Sequence, residues 1–471
     1  MKRKLLLTAL IAVTYITVKA GGLMTNTNYH IAFDRMMARG ASFDIDAAYS
    51  NPAGLAWGHE GWQLSLNFQK PWQNRDIELN GVTYEGKASA PIVPALFASY
   101  KNDRWAVSTM IGIVGSGGFV KYDNGVPMFN MLLTGLLQQN GIQPGTYQLD
   151  SEMKGKQYIY GGQVNFTYKI LDCLSAAAGV RANYYDGYYR GHVRANEHPV
   201  FGDLAALLLD VDQKGWGFTP MVSVNFHQGP LTLTARYEFR TKISTKNETN
   251  VLDAGLGSNV IAYMLANDPN AQTKLAALQQ NLAVYTAPYQ DGARTRYDMP
   301  ALLSVAAGYA FTDKLRATLE YHFYDDKHAK MSGDRQEQLD HGTHEILAGV
   351  EYDINDKFTV SCGAQRTDYG LTDGYQQDTS FACDSYSIGL GGAWNINEKV
   401  RLNAGYFISL YSDYKKQTTY GTETYSRTNN VIGLGIDYKF SFYRSIIRNS
   451  IFNFISNHSI CIRIIIFFQK S

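Results

Sequence analysis

Between residues 61 and 440 the chain alternates apolar and polar side chains with a period of two, and the polar register carries charges. In residues 315–324, Leu315, Ala317, Leu319, Tyr321 and Phe323 share one face, and Arg316, Thr318, Glu320, His322 and Tyr324 the other. Residues 231–240 repeat the design, with Leu231, Leu233, Ala235, Tyr237 and Phe239 opposite Thr232, Thr234, Arg236, Glu238 and Arg240. The last such segment sets Ile432, Leu434, Ile436, Tyr438 and Phe440 against Gly433, Gly435, Asp437 and Lys439. A soluble sandwich also alternates, but it rarely keeps charges in the inward register over so many long strands. The pattern predicts an all-β, membrane-spanning antiparallel barrel of about 14 strands, an even number as bacterial barrels require.

The connections sharpen this reading. Every second one is tiny, at residues 101–104, 171–173, 229–230, 312–314, 355–356 and 397–398. The others are mostly long, at 70–90, 117–154, 195–214, 245–292, 331–343, 370–383 and 418–424. Short periplasmic turns alternating with long extracellular loops mark an outer-membrane barrel. Three long loops carry helix-like apolar patterns, at residues 126–139, 200–211 and 260–285. In the first, Phe129, Leu132, Leu133, Leu136 and Leu137 line one face, either as a cover for the mouth or as an apolar landing groove.

Composition agrees without deciding. The 33 Tyr, 22 Phe, 6 Trp and 43 Gly suit strands, membrane interfaces and tight turns. The 43 Lys+Arg against 42 Asp+Glu give a net charge of +1, without the basic excess of a nucleic-acid binder. The four cysteines, Cys173, Cys362, Cys383 and Cys461, show no metal-ligand spacing and read as unpaired thiols. Neither a metal nor a cofactor is expected.

The ends are distinct. Lys2, Arg3 and Lys4, a short apolar run to Val18, and Ala20 read as a signal peptide over residues 1–20. Between residues 21 and 440 no run of 18 apolar residues occurs, so a membrane would be crossed by strands. Residues 21–60 lack alternation and are long enough to plug the lumen, the barrel spans 61–440, and residues 441–471 are an atypical extension outside the fold.

Just before the first strand lies Ala48-Tyr49-Ser50-Asn51-Pro52-Ala53-Gly54-Leu55. Pro fixes φ and Asn bonds its own backbone, so Asn51-Pro52 sets a turn, and Gly54 permits close packing. The stretch resembles the hatch signature of the FadL/TodX family of outer-membrane hydrophobic-compound transporters. Residues 37–42, residues 46–48 and the proline-led segment 299–309 fit the same pattern. The resemblance covers about residues 30–440 and implies 14 strands, a lumenal hatch holding Asn51, Pro52, Ala53 and Gly54, and partly helical extracellular loops. It further implies uptake of long-chain fatty acids or similar compounds, captured at the loops, passed into the lumen and released sideways where a strand kinks. Gly112, Gly115, Gly117 and Gly118 are the candidates for that kink, or simply a flexible exit into the loop. By alternation Arg181, Arg236, Arg240 and His322 point inward, as ligand-binding groups or as members of internal ion pairs.

The expected setting is therefore the outer membrane of a Gram-negative bacterium, crossed many times by one monomeric chain. Its partners would be a hydrophobic small molecule and membrane lipid, not nucleic acid. Other readings are a structural barrel or adhesin, a general porin, and an outer-membrane lipolytic enzyme. The last is weakest, because no Ser stands in a recognisable arrangement with His and an orienting acid, and no catalytic residue is assigned.

Overall fold

The computed structural model describes residues 29–440 apart from positions 91 and 140; the expected signal peptide and C-terminal extension lie outside the described residues. One antiparallel sheet closes on itself as a barrel of 14 wall strands. They are β1 (Gly61–Leu79), β2 (Val93–Asn102), β3 (Trp105–Tyr122), β4 (Gln148–Leu171), β5 (Leu174–Asn196) and β6 (Ala205–Gln228). Next come β7 (Leu231–Glu238, resumed as Ser244–Leu256), β8 (Arg294–Arg296, resumed as Leu302–Ala310), β9 (Leu315–Tyr324) and β10 (Thr343–Asp353). The wall ends with β11 (Phe358–Asp368), β12 (Ser385–Asn395), β13 (Val400–Tyr411) and β14 (Gly421–Phe440). Closure is a continuous β1–β14 ladder from Trp62↔Phe440 to Leu79↔Glu423, which leaves neither strand an open edge there.

Inside and outside follow from the pleat. In β1, Trp62, Leu64, Leu66 and Phe68 are exposed on the outer face, while Gln63, Ser65, Asn67 and Gln69 are buried within. Aromatic rings collect in two outer bands. One, at the short-turn end, includes Trp62 with Tyr100 at 5.0 Å between ring centres and Phe358 stacked on Trp394 at 6.2 Å. The other includes Trp72, Tyr160, and Tyr184 against Trp216 at 4.7 Å. Trp62 and Trp72 are ten residues apart, about 33 Å of strand, which at barrel tilt gives the apolar height of about 25 Å expected of an outer-membrane barrel. Among the described residues no helix is long and apolar enough to cross a membrane.

Three sequence expectations are corrected. Residues 200–211 are not helical: from Ala205 onward they are β6, paired with β5 through Tyr189↔Val211 and with β7 through Leu256↔Ala205. Leu207 and Leu209 share one face, and Leu208 on the other makes a run of three leucines that masks the period of two. The expected loops 195–214 and 245–292 shrink accordingly, because β5, β6 and β7 rise beyond the membrane as a sheet. Helices α3 (Pro127–Gln139), α4 (Ser258–Asn267) and α5 (Ala271–Thr286) sit in the loops at that end, the last two separated at Asp268-Pro269-Asn270, where Pro removes a helix donor. Finally, Cys362 and Cys383 are free thiols but Cys173 is disulfide-bonded, contrary to the expectation of unpaired cysteines. An exported chain folds where disulfides persist.

Candidate functional site

Residues 29–60 lie inside the barrel. They hold two short helices, α1 (Ile31–Arg35) and α2 (Ala47–Ser50), followed by a 3₁₀ turn over Pro52–Trp57. So short a segment gains little from helix propensity, and its order comes from the wall. Asn51 donates its side-chain amide to Gly40 O at 3.1 Å and to Asn225 Oδ1 at 3.0 Å. Ala48 O accepts from Gln163 and Asn165, both at 2.9 Å, and Pro52 O from Thr167 at 2.8 Å. The Ala53 amide donates to Ser223 Oγ at 3.1 Å while its carbonyl accepts from Ser175 at 2.7 Å. A Cβ on Gly54 would stand 2.4 Å from Ser42 O, so only glycine fits. Arg35 pairs with Glu351, and Arg39 with Asp46 at 2.7 Å. Burial pushes the Asp34 carboxyl well above its ordinary range, opposed by the amide of Gln69 at 2.6 Å.

Between this segment and the wall lies a small cavity of about 40 Å³, lined by Phe33, Met37, Tyr49, Arg181, Arg236, Glu238, Pro300, Glu320, His322 and Tyr324 among others. Its charges answer one another. Arg181 Nη2 meets Glu238 Oε2 at 2.5 Å and Arg236 Nη1 meets Glu238 Oε1 at 3.0 Å. Both guanidiniums lie 5.6 Å from the centre of the Tyr49 ring. His322 stands between Glu320 at 2.6 Å and Glu345 at 3.0 Å, and Glu320 also accepts from the Gly40 amide at 2.7 Å. A cavity whose cations are already paired offers apolar surface and hydrogen bonds, not a spare charge.

The wall above is interrupted. The β2–β3 ladder runs from Asn102↔Trp105 to Leu96↔Ile111 and resumes only where residues 86–89 meet the end of β3, at Ala88↔Val120. Over the same stretch β3 carries two bulges against β4, with Val114 and Gly117 as the extra residues. Gly118 has φ +73°, and a Cβ on Gly112 would stand 3.0 Å from Met110. Behind the lapse the lumen is apolar, with Val93, Ala95, Met110, Val114 and Ile159 in one buried cluster. Pro71 of β1 falls at the edge of this patch, where β1 has passed from Gln69↔Val93 to Trp72↔Ser89 and a missing donor costs least.

The outer membrane protein β-barrel domain family matches residues 261–440. A FadL homologue from Pseudomonas aeruginosa superposes with TM-score 0.62 at 15% identity, covering 90% of this chain and 100% of its own. The toluene transporter TodX from Pseudomonas putida gives 0.56 at 13%, covering 91% and 100%. The CymD monoaromatic hydrocarbon channel gives 0.53 at 12%, with the same coverage. No curated protein matches by sequence. The fold is that of the FadL-type outer-membrane channels.

In this FadL-type barrel three of the four lumenal candidates, Arg181, Arg236 and His322, line one cavity. Arg240 does not. β7 breaks after Glu238, bridging β8 only through Thr241↔Met299 before resuming, so alternation fails and Arg240 is exposed, donating to His328 O. The α3 residues form no open groove: Leu133 and Leu137 are buried against Val193, Leu204 and Val260, with Phe129 and Leu136 packed beside them, and Leu132 is half-buried. The α3 N-terminus is tied across the mouth, the Met128 amide donating to Asp378 Oδ2 at 2.6 Å. Sequence reasoning missed Arg75 and Arg427, which face the upper lumen. It ended β1 at residue 69, before Pro71, and no lumenal parity was therefore assigned to Arg75.

Proposed function

We propose that this protein is an uptake channel for hydrophobic compounds, long-chain fatty acids or aromatic hydrocarbons, which leave the lumen sideways rather than along the axis. The observation that carries this reading is the lapse at residues 112–119, which opens onto an apolar lumen while residues 29–60 occupy the axis. A ligand that is mostly hydrocarbon gains about 0.8 kcal/mol per buried CH₂ and needs little polar help to enter such a space. On this account residues 29–60 are the plug, α3 and its neighbours form the capture surface, and Gly112, Gly115, Gly117 and Gly118 shape the exit. The toluene transporter and hydrocarbon channel that share the fold support the same class of cargo. A water-filled porin is the poorer reading, because a filled axis leaves no wide aqueous path. The experiment is uptake of labelled fatty acid and labelled toluene by cells with and without the protein. Faster uptake of either supports the reading; equal uptake of both in the two strains refutes it.

A further inference from the structure

Arg75 of β1 and Arg427 of β14 are directly opposed in the closing ladder, and both point into the upper lumen. They are 4% and 8% exposed. Arg75 Cζ lies 5.8 Å from the ring centre of Phe381, and Arg427 Cζ 4.7 Å from that of Tyr411. Among the described residues neither guanidinium has a hydrogen bond or ion pair, and each has a buried Nε without a partner. The ionisable groups bearing most on Arg75 are Arg427, Tyr122, Tyr411 and Cys383, and those bearing most on Arg427 are Tyr411, Tyr369, Cys383 and Tyr122. None of these is a carboxylate. Elsewhere in the lumen Arg35, Arg39, Arg181 and Arg236 each meet an acid.

Two like charges side by side, buried and unanswered, are a costly arrangement that an anion between them would relieve. We propose that Arg75 and Arg427 form an oxyanion site for the carboxylate head of an amphiphile. The guanidinium fork matches a carboxylate in two-point contact, and two forks in register present a surplus of donors to one head group. The amphiphile is indicated by what surrounds the pair: Ile77, Tyr84, Val120, Val126, Met153 and Phe381 belong to one buried apolar cluster at this level, which fits a hydrocarbon tail and not a hydrated ion. The site rests on the uptake reading above and gives it a recognition step, separate from the charge-balanced cavity below.

The test is equilibrium dialysis of labelled dodecanoate and labelled dodecanol with the full-length protein in neutral detergent. The wild type is expected to bind dodecanoate about tenfold or more tightly than dodecanol, the scale of charge-assisted hydrogen bonds. Arg75→Gln with Arg427→Gln should bring that ratio to about one. Arg75→Lys with Arg427→Lys, which keeps the charges and guards against misfolding, should leave an intermediate ratio. A wild-type ratio near one, or an undiminished ratio in the glutamine variant, overturns the site. Acetate displacing dodecanoate at equal concentration overturns the assignment to an amphiphile. Hydrocarbon uptake by cells is read separately, so the site can fail while the uptake reading stands.

Discussion

The side-chain amide of Asn51 donates to Asn225 Oδ1 at 3.0 Å, joining the N-terminal segment to β6 across 174 residues of sequence. The same amide reaches Gly40 O, so one side chain links two parts of the segment to the wall. Asn51→Ala leaves both acceptors without that donor, a cost of about 1–3 kcal/mol for buried groups. The ladder of the wall is untouched. Hydrogen exchange should accelerate across residues 40–57 while β1 and β14 stay protected, and uptake should fall. Unchanged exchange in the segment would show that Asn51 is dispensable.

Gly54→Ala should be more damaging than its size suggests. The added Cβ would meet Ser42 O at 2.4 Å, and that atom is backbone, so the segment itself must move. Overpacking of this kind costs about 1–3 kcal/mol. Limited proteolysis should cut within residues 29–60 of the variant and spare the barrel. A cleavage pattern identical to wild type contradicts the packing described here.

Much of this was legible in the sequence because alternation is a strong signal wherever one face meets lipid. It placed Glu320 and His322 on one inward face, and the turn parity ordered all 14 strands. It failed where the period of two lapses. Arg240 was assigned inward by counting on from Glu238, but β7 breaks there. Arg75 was missed because Pro71 reads as a strand end, whereas it sits where a ladder partner is already lost. Leu207, Leu208 and Leu209 hid a strand because β6 there stands above the membrane, where outward residues need not differ from inward ones. The ion pair of Glu238 with Arg181 joins strands 57 residues apart in sequence, and spacing alone does not reveal it.

The roof of the lumen should respond to acid. Burial raises the Asp378 carboxyl above its ordinary range, against the lowering pull of the Met128 amide and the Tyr425 hydroxyl. Glu423 shares that hydroxyl at 2.7 Å, and Lys416 is the nearby cation. A raised folded-state pKa means the contribution is full below the ordinary carboxylate pKa and is lost as pH rises through the folded value. Docking of residues 369–384 therefore weakens as the medium becomes more alkaline. Cys383, a buried free thiol within this loop, reports on it. At pH 8 Asp378→Asn, which cannot ionise, should label more slowly at Cys383 than wild type. Equal or faster labelling excludes the carboxyl as the responsive group.

The two bulges of β3 make a paired deletion informative. One bulge flips every later side chain to the other face, and two restore the register. Met110 and Val120 accordingly both face inward, on either side of Val114 and Gly117. Removing both extra residues should keep the inward set buried and let β3 run straight against β4. The barrel is then expected to assemble, the lapse toward β2 to narrow, and uptake of labelled toluene to fall severalfold. Wild-type uptake by an assembled variant would separate the bulges from the exit route.

The last prediction divides capture from lumenal charge. Leu132 and Leu136 of α3 are only partly buried, so aspartate there disturbs the surface more than the packing of Leu133 and Leu137. A leucine fully buried by ligand is worth about 1.5–3 kcal/mol, and partial cover gives roughly half. Leu132→Asp with Leu136→Asp should thus lower the affinity for an uncharged alkane by about tenfold. Arg236→Ala acts elsewhere: it frees one oxygen of Glu238 and the carbonyl of Tyr49, loosening the segment beneath the cavity. Because Arg236 is already paired, its loss should not change the preference between a carboxylate and an alcohol. Titrating both variants with dodecane, dodecanol and dodecanoate gives the comparison. Should Arg236→Ala erase the carboxylate preference while the leucine pair leaves alkane binding intact, recognition would lie in the charged cavity and α3 would be only a cover.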